Sequence, residues 1–408
     1  MDAERVLVWK SLERVSPRAY YRAEDLEALP HAEAIPLARA REALANGWRI
    51  RQDLTASSLD AAQRHARAAL DGGATDLGVH VAAEGGRLRG VPVQRQEHLA
   101  ALLADVDLAE TPVHVDAGAA APSLLAMLCN VAEARGVPLE HLRGSVDYDP
   151  LAALARHALA DPDRAFDLSA ALLAFAADRL PAMRAVAVDL RPYHDAGASA
   201  VQELTCALGS LSEQLARLAE RGVALEEAAA RLHWIVPVDT SYFVAIAKLR
   251  ALRLLAPQVL AAYDVALAPA AVFVQAVTSR RSETVYDPYV NLLRTTTEAM
   301  SAVVGGCDVL AVRPYTAAYA APDDFALRLA RNTQLILRHE AHLDDVADPA
   351  AGAYYVEAMT DELARAAWEA FQDLEAEGGL LAALEAGTVQ ARIAEVRARR
   401  QAEIADRR

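Results

Sequence analysis

The sequence predicts a closed (β/α)8 barrel with an extended arm before it and helices after it. Two patterns and one size carry this. Eight short runs rich in Val and other strand formers recur along the chain, most of them ending in a polar or turn-forming residue. Between them lie stretches whose apolar residues repeat at three and four positions, the amphipathic helix signal. Strands alternating with helices demand a parallel sheet, and eight such units over about 270 residues match a closed barrel in size. A doubly wound open sheet is the alternative.

Taken in order, residues 1–47 are polar, Pro-containing and weakly periodic, and read as an arm lying over something else. A Tyr- and Arg-rich arm with little core of its own needs a partner surface to bury Trp9, Tyr20 and Tyr21. Residues 48–360 form the barrel. Its runs are WRIRQDLT from Trp48, TDLGVHVA from Thr75, TPVHVDAG from Thr111, LRGSVDYD from Leu142, RAVAVDLRPY from Arg184, HWIVPVDT from His233, AVFVQAVTS from Ala271 and CDVLAVRPY from Cys307. The helix after the first run starts at a plausible cap, Ser58, and closes at Gly72 and Gly73. Gly305 and Gly306 read as another helix end feeding a strand, rather than a phosphate loop. Residues 361–408 are helical and charged.

The chain has 408 residues, is 54% hydrophobic and carries a net charge of −15. That charge argues against nucleic acid and against an anionic membrane surface as partners. No stretch runs 18 residues without charge, so no transmembrane segment is expected. The N-terminus lacks the pattern of a signal peptide, and Cys129, Cys206 and Cys307 show no paired spacing. A cytoplasmic, metal-free protein is expected. His339 and His342 are one residue short of the metalloprotease spacing and read as a solvated helix end.

In a barrel the C-terminal ends of the strands build the site. That rule selects Asp53 and Thr55 on the first run, Asp147 and Asp149 on the fourth, Tyr193 and His194 on the fifth, Asp239 on the sixth, and Thr278 and Ser279 on the seventh. A histidine there can act as an acid or donate a hydrogen bond to a substrate carbonyl, with Tyr193 donating beside it. The plain alternative is a structural histidine near a turn.

Five long segments then resemble the methylmalonyl-CoA mutase family: YHDAGASAVQEL from Tyr193, YFVAIAKLRALRLL from Tyr242, DPYVNLLRTTTEAMSAVVGGCDVL from Asp287, DDFALRLARNTQLIL from Asp323 and DPAAGAYYVE from Asp348. The resemblance implies a barrel with an acyl-CoA threaded down its axis. It also implies a second domain that presses adenosylcobalamin onto the mouth, where radicals rearrange the acyl skeleton. The signature of that domain, Asp-x-His-x-x-Gly, does not occur in this sequence. By the resemblance, the chain stops where the linker to that domain would begin.

The site positions depart from the family's catalytic pattern. Arg51 is kept, but Asp53 takes the place of a Tyr that drives homolysis, and Asp147 takes that of a substrate-facing Gln. Gln275 stands for a His, Val277 for a Gln, and Arg280 and Arg281 for Gly-Trp. The arginine that pairs with the substrate carboxylate is lost near Arg156 and His157. Arg280 and Arg281 are expected to reach over the mouth toward Asp53 or Asp147 and to close it to a CoA thioester. The family includes heterodimers of a catalytic large subunit and an inactive small one, and this chain resembles the latter. It would bind no cobalamin itself, leaving the cofactor to the large subunit, with Tyr193 and His194 as retained ancestry. The alternative is a catalytic barrel working with a separate cobalamin-binding subunit, acting on another branched acyl-CoA.

Overall fold

The structure is a computed structural model and describes residues 15, 18, 20–27, 29, 46–84, 87–156 and 161–406. Trp9, most of the arm and His157 lie outside the described residues.

Each of the eight runs forms barrel strand. In chain order the strands are β1 (Arg49–Leu54), β2 (Asp76–Glu84), β3 (Arg87–Gly90), β4 (Val113–Asp116), β5 (Gly144–Val146), β6 (Met183–Arg184), β7 (Val186–Asp189), β8 (Leu232–Val238), β9 (Val274–Thr278) and β10 (Val309–Ala311). The sheet runs β6-β5-β4-β2-β1-β10-β9-β8-β7, and every neighbouring pair in that path is parallel. Its two ends, β6 and β7, are halves of one run broken at Ala185, so the sheet comes round to within one residue of closing. The N–H groups of Ala185 and Val186 both donate to the Arg231 carbonyl, at 3.1 and 3.2 Å. β3 folds back antiparallel on β2, a hairpin the sequence reading did not foresee.

Side chains alternate across a strand. On β1, β2 and β4 one set of alternate positions is apolar and buried: Ile50 and Leu54, Leu77 and Val79, Val113 and Val115. The intervening positions are polar or small: Arg51 and Asp53, Gly78 and His80, His114 and Asp116. Ser145 and Asp147 continue the second set beyond β4, and Gln275 joins it from β9. These polar residues bond to one another across the sheet, which places them inside the barrel, while the apolar set packs in the main core.

Helices cover the outside. Ser58 caps Leu59–Asp71, its Oγ accepting from the Ala61 N–H at 3.3 Å, as the sequence predicts. Helices Ala200–Glu220 and Tyr242–Ala261 both pack on Tyr354–Ala376. Buried Arg250 ties these layers together, donating to Asp348 (2.8 and 2.7 Å) and to Glu357 (2.5 Å). The last helix, Thr388–Ala405, buries only Val389 and Ile393. Tyr21 of the arm rests edge-on against Tyr355 at 5.6 Å and donates to Glu362 Oε1 at 3.3 Å. The described part of the arm therefore docks on this chain's own helix, while Tyr20 stays 59% exposed. The three cysteines are buried, and none of them forms a disulfide. Among the described residues no helix is long and apolar enough to cross a membrane.

Candidate functional site

Arg51 is the hub of the barrel interior. Its guanidinium donates to Asp53 Oδ1 (2.6 Å), Asp147 Oδ2 (3.2 Å) and Gln275 Oε1 (2.6 Å). Gln275 then donates to Ser145 Oγ at 2.9 Å, and Ser145 donates to Asp147 Oδ1 at 2.5 Å. His114 lies between Ser145 Oγ (2.8 Å) and Asp76 Oδ1 (3.0 Å), and His233 Nε2 lies 3.1 Å from Asp147 Oδ1. Toward the mouth, His80 sits between Asp53 Oδ2 (3.0 Å) and Asp116 Oδ2 (3.2 Å). Asp116 accepts from Arg191 at 2.7 Å, and Asp189 accepts from both Arg191 (2.8 Å) and Arg156 (2.9 Å). Gly78 makes this packing possible: a Cβ there would stand 2.7 Å from Arg51 Nε and closer still to Asp53 Oδ1.

The electrostatics follow from this pairing. Burial pushes the Asp53 carboxyl up, but Arg51 and His80 outweigh it and hold it far below the usual carboxylate range. Burial likewise acts on Asp147, where Arg51 and His233 win, and on Asp116, where Arg191 and His80 win. Burial pushes the His80 ring down, yet its two carboxylates raise it to about 9, so it is an imidazolium at neutral pH. Cations and carboxylates thus alternate through the interior as a closed set.

His194 belongs to a second network. It lies on the short helix Arg191–Ala196, which ends at Gly197 with φ 108°, the left-handed conformation glycine allows. The ring is wholly buried. Its Nε2 is 2.7 Å from Ser279 Oγ, and its Nδ1 is 2.7 Å from Glu203 Oε1. Lys248 Nζ donates to Glu203 Oε2 at 2.6 Å and to the Pro237 carbonyl at 2.7 Å. Nearby, buried Glu298 accepts from the Ser279 N–H at 3.1 Å and from Ser282, and burial raises its carboxyl to about 8.

The structure brings together Arg51, Asp53, Asp147 and Gln275. It separates Tyr193 from His194: Tyr193 packs in a second apolar cluster with Leu151, Phe166, Leu380 and Leu384, and its buried hydroxyl has no hydrogen-bond partner among the described residues. The two therefore do not stand side by side as donors. Nor do Arg280 and Arg281 reach Asp53 or Asp147, which Arg51 already holds from below. Arg281 instead donates to Asp239 (2.9 Å) and to the carbonyls of His194 (3.0 Å) and Ala198 (3.2 Å). Arg280 is exposed at the rim of a cavity. Val277 is half-buried, in register with Ala311, and Arg156 pairs with Asp189. Asp149 caps the helix Pro150–Ala155 and accepts from the Asp189 N–H, and burial raises it to about 6. Sequence reasoning missed His80, Asp116, Arg191, Glu203 and Lys248. The alternation in VHVD and GVHV carried a signal for the first two; Glu203 and Lys248 sit on helices, where spacing gives none. Among the described residues no cluster could hold a metal ion.

A family model described as methylmalonyl-CoA mutase matches residues 39–408. The methylmalonyl-CoA mutase small subunit of Streptomyces virginiae is 39% identical over 364 residues, covering 89% of this chain and 57% of that one. The small subunit from Porphyromonas gingivalis is 33% identical over 413 residues, covering 99% and 65%. The methylmalonyl-CoA mutase of Rhizobium meliloti is 31% identical over 422 residues, covering 98% and 59%. The chain thus spans about three fifths of the length of the curated relatives it matches.

Proposed function

This chain belongs to the methylmalonyl-CoA mutase family, and on that premise we propose that it is the small, non-catalytic subunit of a heterodimer. It pairs with and stabilises a catalytic large subunit that interconverts methylmalonyl-CoA and succinyl-CoA. The observation that carries this reading is the His194 ring, whose two nitrogens are held at 2.7 Å by Ser279 and Glu203 in a fully buried setting. A ring so engaged has no nitrogen left for a thioester carbonyl. The Arg51 network supports the same reading, because it occupies the axis along which an acyl-CoA would pass.

Adenosylcobalamin belongs to the partner in this reading. The residues described here fit it poorly: the imidazoles of His80, His114 and His194 are each engaged at both nitrogens, and the one ring nitrogen of His233 without a partner among the described residues, Nδ1, is buried. A cavity of about 410 Å³ at the mouth is at the small end of ligand sites.

The test is His194→Ala in the assembled complex. Positioned acid–base groups contribute about 10²–10⁴ in rate. Turnover within about twofold of the parent is expected, since the ring does no proton transfer. A fall of roughly a hundredfold with assembly intact overturns the proposal and favours a catalytic barrel served by a separate cobalamin-binding chain.

A further inference from the structure

The cavity of about 410 Å³ opens at the C-terminal ends of β1 and β10, with the helix Asp324–His339 as one wall. Arg51, His80, Arg280, Arg313 and Arg331 line it, against one carboxylate, Asp53. The chain as a whole carries a net charge of −15, so this concentration of cations runs against its overall balance. Asp53 serves Arg51 and His80, and Glu283 accepts from Arg313 at 2.8 Å. Among the described residues Arg280 and Arg331 make no ion pair, although Arg280 is near enough to Glu283 to favour its ionised form. Arg331 is 8% exposed and donates only to neutral acceptors, Gln52 Oε1 at 2.7 Å and the Gly72 carbonyl at 2.9 Å. Burial and the neighbouring Arg328 push its guanidinium down, a penalty that an anion would relieve. Arg280 is exposed and makes no ion pair among the described residues.

The rest of the lining is largely apolar and short, including Pro314, Ala317, Ala321 and Leu327. Ligand sites of this kind combine an apolar wall with a few convergent polar groups, and they span about 300–1,000 Å³. A guanidinium fork matches a carboxylate in geometry as well as charge. We propose that this cavity binds a small organic anion, its carboxylate neutralised by Arg280 and Arg331 and its short apolar body against the Pro and Ala wall. The volume suits a short-chain acid and not a coenzyme A thioester. Arg51, Asp53 and His80 form its floor and are already paired with one another, while the anion would be held by Arg280 and Arg331, so the proposal does not depend on the heterodimer reading.

The experiment is calorimetric titration of the full chain with butyrate, with its neutral isostere butyramide, and with inorganic phosphate. Butyrate is expected to bind and butyramide not. Phosphate has the charge without the apolar body, and loss of that body weakens it about tenfold or more relative to butyrate. Arg280→Ala, at an exposed position with no ion pair, keeps the fold by circular dichroism and weakens butyrate about tenfold or more, the scale of one charge-assisted hydrogen bond. Equal binding of butyrate and butyramide, phosphate binding as tightly as butyrate, or unchanged affinity in Arg280→Ala each overturns the proposal.

Discussion

Arg51 and Asp147 meet in the middle of the barrel, Nη1 to Oδ2 at 3.2 Å, although β2 and β4 separate their strands in the sheet. Both are almost fully buried, so neither charge has water to fall back on. The pair gives the interior its rigidity and also its vulnerability.

Removing the cation exposes this. Arg51→Met leaves the buried Asp147 and the half-buried Asp53 with one fewer counter-charge. Breaking a buried pair by deleting one partner costs about 3–5 kcal/mol. Chemical denaturation should show a loss of that order, and a loss below about 1 kcal/mol, the scale of a surface ion pair, would show that the network does not stabilise the fold.

Gly78→Ala puts a methyl group where Asp53 Oδ1 and Arg51 Nε now lie. Overpacking of this kind costs about 1–3 kcal/mol. The cost should shrink by about 1 kcal/mol or more in an Asp53→Ala background, where the methyl has room. Strictly additive effects in a double-mutant cycle would place the strain elsewhere.

Stability should fall as pH rises through the alkaline range. The His80 ring is raised from 6.5 to about 9, so its contribution is complete below pH 6.5 and is lost as pH passes about 9. Glu298, raised from 4.5 to about 8, is a buried acid that must ionise, and its contribution is lost on the way up to about 8. In His80→Gln the Glu298 part persists, so the profile should flatten between pH 8 and 9, where the parent still falls. Parallel melting profiles for the two proteins across that interval would rule out His80 as the titrating group.

The isolated chain is expected not to take up adenosylcobalamin. His80, His114 and His194 are held by carboxylates and hydroxyls at both ring nitrogens, and the unbonded Nδ1 of His233 is buried. Absorbance titration showing tight one-to-one uptake would contradict this.

The arm should still serve the heterodimer. Tyr20 is 59% exposed beside the docked Tyr21, and an exposed aromatic is the kind of group interfaces bury. Deleting residues 1–45 should sharply reduce recovery of the large subunit in a pull-down; full recovery would confine the arm to the contacts Tyr21 makes with Tyr355 and Glu362.

The eight strands were legible because each run is rich in Val and other strand formers and most end in a polar or turn-forming residue, as in TPVHVDAG. β3 was not, since RLRG has no apolar alternation to mark it. Arg51, Asp53, Asp147 and Gln275 could be selected from strand position alone. Their mutual bonding could not, because it joins residues up to 224 positions apart in the chain. The same limit explains Arg281. At the end of a strand it looked free to cover the mouth, but Asp239 and the carbonyls of His194 and Ala198 claim it first. Tyr193 shows the reverse: one residue from His194 in sequence, it faces a different side because consecutive positions on a helix point about 100° apart.

The closure of the Arg51 network also acts as an evolutionary ratchet. Aspartate at position 53 neutralises Arg51 and His80 together. Tyrosine there would leave Arg51 only Asp147 and His80 only Asp116 as carboxylate partners, and Gly78 would face a ring in place of a carboxylate. A single change at position 53 therefore unbalances several groups at once, and the interior favours its present set of residues over piecemeal replacement.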